Sequence, residues 1–322
     1  MKQIKNAGLW ISLLAVVALG IGPIVTQSPS TRETAFIVLQ ALVLAASLNI
    51  LMGFTGYVSF GHVVFFGLGG YVGLYLIVGQ GWPLWSAALA GGLASALLAF
   101  LLGKAILRLR GAYFALATIG INEAVRAFVN NFAPFGGPIG LTVNFKVYDN
   151  YGGAANALWL TYYVLVGLAL LITAANFFIK HSKFGLGLMA IREDEDAAEV
   201  IGVVTPNAKT WAFVLSAILP GIAGTLFFFK NGNIEPGDAF RLGYSIEMLV
   251  IVMLGGNGSV LGPILGAAGY EGLRNYLLTS PVFKNIQLSV AGALLLVIVL
   301  FIPAGAVGWL RSRVPVLRKV LA

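Results

Sequence analysis

The chain has 322 residues, of which 59% are hydrophobic and only 10% charged, with a mean hydropathy of +0.91 and 41 glycines. A soluble chain carries about 25% charged residues, so this composition describes a polytopic, all-α membrane protein rather than a soluble enzyme. The absence of cysteine excludes disulfides and thiolate metal sites, two histidines argue against a multi-histidine metal centre, and the +8 net charge gathers at the ends of apolar runs, a membrane-anchoring pattern rather than a nucleic-acid footprint.

Runs approaching the roughly 20 apolar residues that cross a bilayer predict about ten spans. They lie near residues 8–25, 35–52, 57–79, 83–102, 112–131, 157–179, 210–229, 245–256, 261–278 and 285–302. The first follows Lys2 and Lys5, and no small-residue cleavage site follows it, so it is expected to be a retained span or signal anchor. The eighth is too short to cross alone at 1.5 Å per residue. It must be a half-helix or continue through glycine-rich backbone. An eight-span arrangement with re-entrant segments at 53–79 and 245–278 is the alternative.

Ten spans put both termini on one side. Thirteen of the 20 basic residues, from Lys2 and Lys5 through Arg192 to Arg318 and Lys319, then fall on that side, against six on the other: Arg32, Lys146, Lys230, Arg241, Arg274 and Lys284. The excess of positive charge predicts cytoplasmic termini in a multi-pass membrane protein. The longest external loop is then about 132–156.

Two glycine clusters stand out, Gly53 to Gly73 and Leu254 to Gly269. Small residues let helices approach closely. The first cluster also holds Ser59 and His62, and the second Asn257, Ser259 and Pro263, which predicts broken helices. Irregular backbone survives at membrane depth only when buried in protein or lining a cavity, and interrupted spans, one in each half, point to a translocation path. Its candidate lining is Asn49, Gly53, Gly56, Ser59 and His62 with Gly255, Gly256 and Asn257. Glu123 and Arg126 share a helix face in the fifth span, where a structural ion pair is expected. Glu247 and Glu271 have similar standing, and His62 is read as a structural histidine ahead of a proton relay.

Five of the 12 acids fall in the stretch Lys180 to Ile201: Glu193, Asp194, Glu195, Asp196 and Glu199. Such a run must face water. A helix from about Asp194 to Ile201 places acids in the first turn, where the helix dipole favours them, and Gly202 just past the end. Ala197, Ala198 and Ile201 form its apolar face, and Glu195 and Glu199 point the other way. So short a helix needs a partner surface, its own spans or a second protein. No phosphate-binding G-x-x-x-x-G-K-[ST] loop and no catalytic motif occur, so any ATP-driven process here needs a separate ATPase.

Four segments then carry a family resemblance: Leu48 to Tyr71, Tyr113 to Asn131, Phe184 to Val203 and Leu254 to Ala267, with Phe135 to Val143 and Ile302 to Gly305 in support. The chain resembles the permease subunits of ABC importers for branched-chain amino acids, specifically the second of their two permease types, over nearly its whole length. The resemblance implies a single permease domain, 1–322, of the ten-span type II importer fold, with a cytoplasmic coupling loop at about 180–209 and a basic tail at 303–322. It implies a related permease as heterodimer partner, two cytoplasmic ATPase subunits and a periplasmic or lipid-anchored substrate-binding protein. It also implies no catalysis and no cofactor in this chain, ATP being bound by the ATPases. Carried over by position, Arg192, Glu193, Asp194, Glu195, Asp196, Ala197, Ala198 and Gly202 are the ATPase-docking residues. The expected function is import of Leu, Ile or Val by alternating access across a bacterial inner membrane. Urea or short amides as cargo, or an ion-coupled secondary transporter using His62 or Glu123, are the alternatives.

Overall fold

The computed structural model describes residues 2–279 and 305–313, with residues 289 and 292–293 between them. In chain order the helices are α1 (Lys2–Thr26), α2 (Pro29–Thr55), α3 (Val63–Gln80), α4 (Leu84–Ile106), α5 (Gly111–Asn131), α6 (Lys146–Asp149), α7 (Ala154–His181), α8 (Lys183–Glu193), α9 (Glu195–Val200), α10 (Thr205–Asn231), α11 (Pro236–Ala239), α12 (Leu242–Gly255), α13 (Gly262–Thr279) and α14 (Gly305–Arg313). Seven of them, α1 to α5, α7 and α10, are long and apolar enough to cross a membrane. The expected tenth span, 285–302, lies almost wholly outside the described residues, as do the ends of the basic tail.

Local sequence sets the helix ends. Pro29 occupies the first turn of α2, where its missing N–H costs nothing. Gly56, Gly81 and Gly232 close α2, α3 and α10 in the left-handed region, at φ of 78°, 67° and 78°. At one end of the bundle α8 and α9 form the acidic surface. At the other, a two-residue antiparallel ladder joins β1 (Leu141–Thr142) to β2 (Asn233–Ile234).

The centre is built from α2, α3, α4 and α10. In the most apolar 18-residue stretch of α2 and of α10, 83% of the residues are buried, against 22% in α1 and α5. Here the glycines act as contact residues: a Cβ on Gly69 would strike the backbone of Gly221, and one on Gly73 would strike Thr225. The close approach lets side chains bond neighbouring backbones. Thr225 Oγ1 donates to the Gly69 carbonyl at 2.9 Å, and Ser95 Oγ donates to that of Phe65 at 2.8 Å.

Two spans are incomplete, and they meet. After α2 reaches the acidic end, residues 56–62 return inward as irregular backbone, and α3 starts only at the level of Ser216. Ser216 lies eleven residues along α10, about 16 Å from its start. From the opposite end, residues 232–241 descend past α3, where Phe240 stacks on Tyr71 at a 5.9 Å centroid separation. The half-helix α12 then runs back to the acidic end. The first turns of α3 and α12 touch: Val63 N–H donates to Ser245 Oγ at 3.1 Å.

The break expected in the first glycine cluster is therefore present at 56–62. In the second half it stands elsewhere than expected. Residues 256–261 form the tight turn between α12 and α13 at the acidic end, with Gly256 and Gly258 at φ of 122° and 71°, and the interruption of the span, residues 232–241, precedes α12. Glycine marks sharp turns as readily as broken spans, so composition alone could not separate the two.

Candidate functional site

The acidic helix is α9, Glu195–Val200, close to the expected limits. Its cap is Asp194, whose Oδ1 accepts from the N–H groups of Asp196 and Ala197 at 2.9 and 3.0 Å. Gly202 follows at φ 93°. Ala198 is buried at 1% exposure against the chain's own core, so the helix seats on its own protein.

Glu195 also faces inward, contrary to the expectation that it points away with Glu199. Its Oε1 lies 2.5 Å from Lys209 Nζ and its Oε2 accepts from Tyr57 Oη at 2.7 Å. Arg110 Nε lies 3.4 Å from Oε2. Lys209 in turn donates to Tyr57 Oη at 3.0 Å and to the Leu107 carbonyl at 2.7 Å. One carboxylate thus ties α9 to the first turns of α10, to the segment after α2 and to the α4–α5 turn. Burial pushes the Glu195 carboxyl up, but the Lys209 and Tyr57 hydrogen bonds and the Lys209 and Arg110 charges outweigh it and hold it below its ordinary range. Arg110 pairs with Asp196 at 2.8 Å, and that hydrogen bond and charge lower the exposed Asp196 carboxyl.

The rest of the acidic surface is open. Glu193, Asp194, Asp196, Ala197, Glu199 and Gly202 are exposed. Beside them Val200, Ile201 and Val204 are 87%, 74% and 63% exposed. Arg192 turns back and donates from Nη1 to the Gly53 carbonyl at 3.0 Å.

The candidate path residues separate into two groups. Asn49, Gly53, Gly56, Gly255, Gly256 and Asn257 gather at the acidic end. Asn49 forms a closed knot there: Nδ2 donates to Asn176 Oδ1 and the Ser259 carbonyl, and Oδ1 accepts from Gly258 N–H. That knot locks α2 to the α12–α13 turn. Ser59 and His62 lie deeper, on the irregular segment. His62 Nε2 sits 3.0 Å from the Ser216 carbonyl. Pro220, four residues on, has no N–H to offer that carbonyl, so His62 supplies the missing donor and Nε2 is the protonated nitrogen. The other ring nitrogen, Nδ1, is buried with no hydrogen-bond partner among the described residues.

Glu123 and Arg126 pair at 3.5 Å, yet their side chains are 55% and 40% exposed on the open face of α5. Arg274 lies between Glu247 and Glu271 at 3.8 and 3.4 Å, beside a cavity of about 160 Å³ walled by Gln40, Phe227 and Met248. Sequence reasoning missed Tyr57, Arg110 and Lys209. A lysine directly before the long apolar run of α10 was the available signal for Lys209, and Tyr57 carried none.

The family model described as branched-chain amino acid transport system, permease component, matches residues 33–299. The high-affinity branched-chain amino acid transport system permease protein LivM of Escherichia coli K12 is 29% identical over 91% of this chain and 73% of its own length. LivH of the same organism is 27% identical over 50% of each chain, and the L-arabinose permease AraH is 29% identical over 48% of this chain and 46% of its own. No solved structure matches.

Proposed function

The chain belongs to the branched-chain amino acid transport permease family and is a multi-pass permease of an ABC transport system; from that premise we propose that it carries Leu, Ile or Val inward by alternating access across a bacterial inner membrane, with both termini in the cytoplasm. Two cytoplasmic ATPases drive it, and a separate binding protein delivers the cargo. The observation that carries this reading is the exposed acidic and apolar surface of α9 and the turn after it. Glu193, Asp194, Asp196 and Glu199 are exposed on the same short segment as Val200, Ile201 and Val204, which are 87%, 74% and 63% exposed. Three large aliphatic side chains held in water beside a rigid, capped helix suit a protein partner.

The open face of α5 supports a second permease as neighbour. Leu116, Gly120, Glu123, Ala124 and Phe128 are exposed on a helix of spanning length. Leaving an ion pair against lipid is costly, so this face suits a polar partner surface or a watered path between two subunits. Urea or amides as cargo and an ion-coupled drive are not favoured beside relatives named for branched-chain amino acids.

The test is copurification of the ATPases with this chain carrying Val200→Asp and Ile201→Asp, alongside ATP-dependent leucine uptake in vesicles. Loss of both is expected. Full ATPase association would remove α9 as the docking surface, and leucine uptake without any ATPase would remove the importer reading altogether.

A further inference from the structure

The contacts around Glu195 reach past the docking surface into the middle of the membrane. Tyr57, whose hydroxyl donates to Glu195 Oε2 at 2.7 Å, is the second residue of the irregular segment 56–62. Its ring packs edge-on against Phe114 of α5 at 5.1 Å. Further along, Phe60 N–H donates to Thr118 Oγ1 of α5 at 3.1 Å. His62 holds the Ser216 carbonyl of α10, and Val63 N–H holds Ser245 of α12. From Tyr57 to His62 the chain is five residues, a reach of at most about 18 Å when extended. It is anchored at both ends and has no helix to absorb slack.

We propose that Glu195, Tyr57 and Lys209 form a mechanical linkage: they couple displacement of α9 to the mid-membrane junction where the half-helices α3 and α12 meet, and they are positioning residues distinct from the exposed acids that dock the ATPase. The proposal rests on the ATP-driven reading above. Several features of the structure suit the three residues to this work. Glu195 and Lys209 side chains are 11% and 3% exposed, so the contact persists without competition from water. Lys209 also holds the Leu107 carbonyl at the end of α4, which stops the network from sliding as a unit along the surface. Arg192 makes a second, parallel tie, from the end of α8 to the Gly53 carbonyl at the end of α2. When the ATPases close, α9 therefore cannot move without pulling segment 56–62, whose far end sets the first turns of α3 and α12. Docking falls on the exposed side chains around this six-residue helix and transmission on its nearly closed Glu195, while Glu199, one turn on, accepts from Thr205 Oγ1.

Spatial adjacency alone does not establish coupling, so the experiment measures coupling itself. The complete transporter, with ATPases and binding protein, is reconstituted in vesicles, and leucine uptake and ATP hydrolysis are measured together. In Glu195→Gln and in Tyr57→Phe, ATPase copurification stays at the wild-type level, hydrolysis continues, and leucine imported per ATP falls about tenfold, within the range of interaction energies between contacting residues. The double variant falls no further than the worse single one, because both changes break one link. Tyr57→Phe keeps the ring against Phe114 and removes one hydroxyl, so it remains informative if Glu195→Gln is poorly folded. An unchanged uptake-to-hydrolysis ratio in Tyr57→Phe, or fully additive losses in the double variant, overturns the linkage while ATP-driven leucine uptake by the wild type stands. Failure of the wild type itself to import leucine with ATP overturns the functional reading instead. Loss of ATPase binding in both variants overturns the separation of docking from transmission.

Discussion

Lys209 Nζ lies 2.5 Å from Glu195 Oε1, although one residue belongs to a membrane-crossing helix and the other to the six-residue acidic helix. Both side chains are nearly closed to solvent, so removing one leaves the other as a buried charge. Truncating a single member of such a pair costs about 3–5 kcal/mol. Glu195 keeps Arg110 and Tyr57, which places Lys209→Met toward the lower end of that range. The expected result is a clear drop in the thermal midpoint of the purified protein. Lys209→Met combined with Glu195→Leu should recover part of the loss, since two apolar side chains leave no uncompensated charge. A double variant less stable than Lys209→Met would contradict this account.

The pH dependence follows from the lowered Glu195 carboxyl. A carboxyl whose folded pKa lies below its unfolded value contributes stability that is present above the unfolded pKa. That stability is lost as pH falls through the folded pKa. The difference in thermal midpoint between wild type and Glu195→Gln should therefore stay constant from neutrality down to about pH 5 and shrink only below the ordinary carboxylate range near 4. A difference that vanishes between pH 7 and 6 would mean that burial outweighs the Lys209 and Arg110 charges.

Two glycines of the same chain should respond in opposite ways. At Gly69 a Cβ would strike the Gly221 backbone, so Gly69→Ala forces α3 from α10 at about 1–3 kcal/mol, the usual cost of overpacking. At Gly120 on the open face of α5 a Cβ meets nothing within 4 Å. Gly120→Leu should leave the thermal midpoint of the isolated chain unchanged yet weaken copurification of the partner permease. Wild-type association in Gly120→Leu would move the permease interface off this face of α5.

The parts of the molecule that were legible in sequence are those set by short-range chemistry. Gly202 reads as a stop and the acids at 194–196 as first-turn residues because both effects act within one turn, and the approximate limits of α9 follow; Asp194, read as the first helical residue, is in the structure its cap. The half-helix α12 was legible from its length alone. Glu195 was not: a local helical wheel sees only residues 194–201, and what turns it inward is Tyr57, 138 positions away, with Lys209 from the next span. The glycine clusters misled in part for a related reason. Gly69 and Gly73 contact neighbouring helices, Gly56 ends one, and Gly256 and Gly258 turn the chain outside the helices. One residue type serves three physical purposes that only the assembled bundle distinguishes.

His62 shows how a long-range partner can be implied by a local defect. Pro220 removes the N–H that the Ser216 carbonyl would receive inside α10, and His62 Nε2 stands 3.0 Å from that oxygen. Leaving a buried carbonyl without a donor costs about 1–3 kcal/mol. His62→Leu should therefore lower the thermal midpoint substantially in the wild-type background. In a Pro220→Ala background residue 220 regains an N–H, α10 can satisfy Ser216 by itself, and the same His62→Leu change should cost markedly less. The four midpoints form a double-mutant cycle, and the predicted sign of the interaction is specific to the defect-and-repair relation. If His62 instead served chiefly to fill space between Phe65 and Phe213, whose ring centroids lie 5.2 and 6.4 Å from its own, its loss would cost the same with and without the proline.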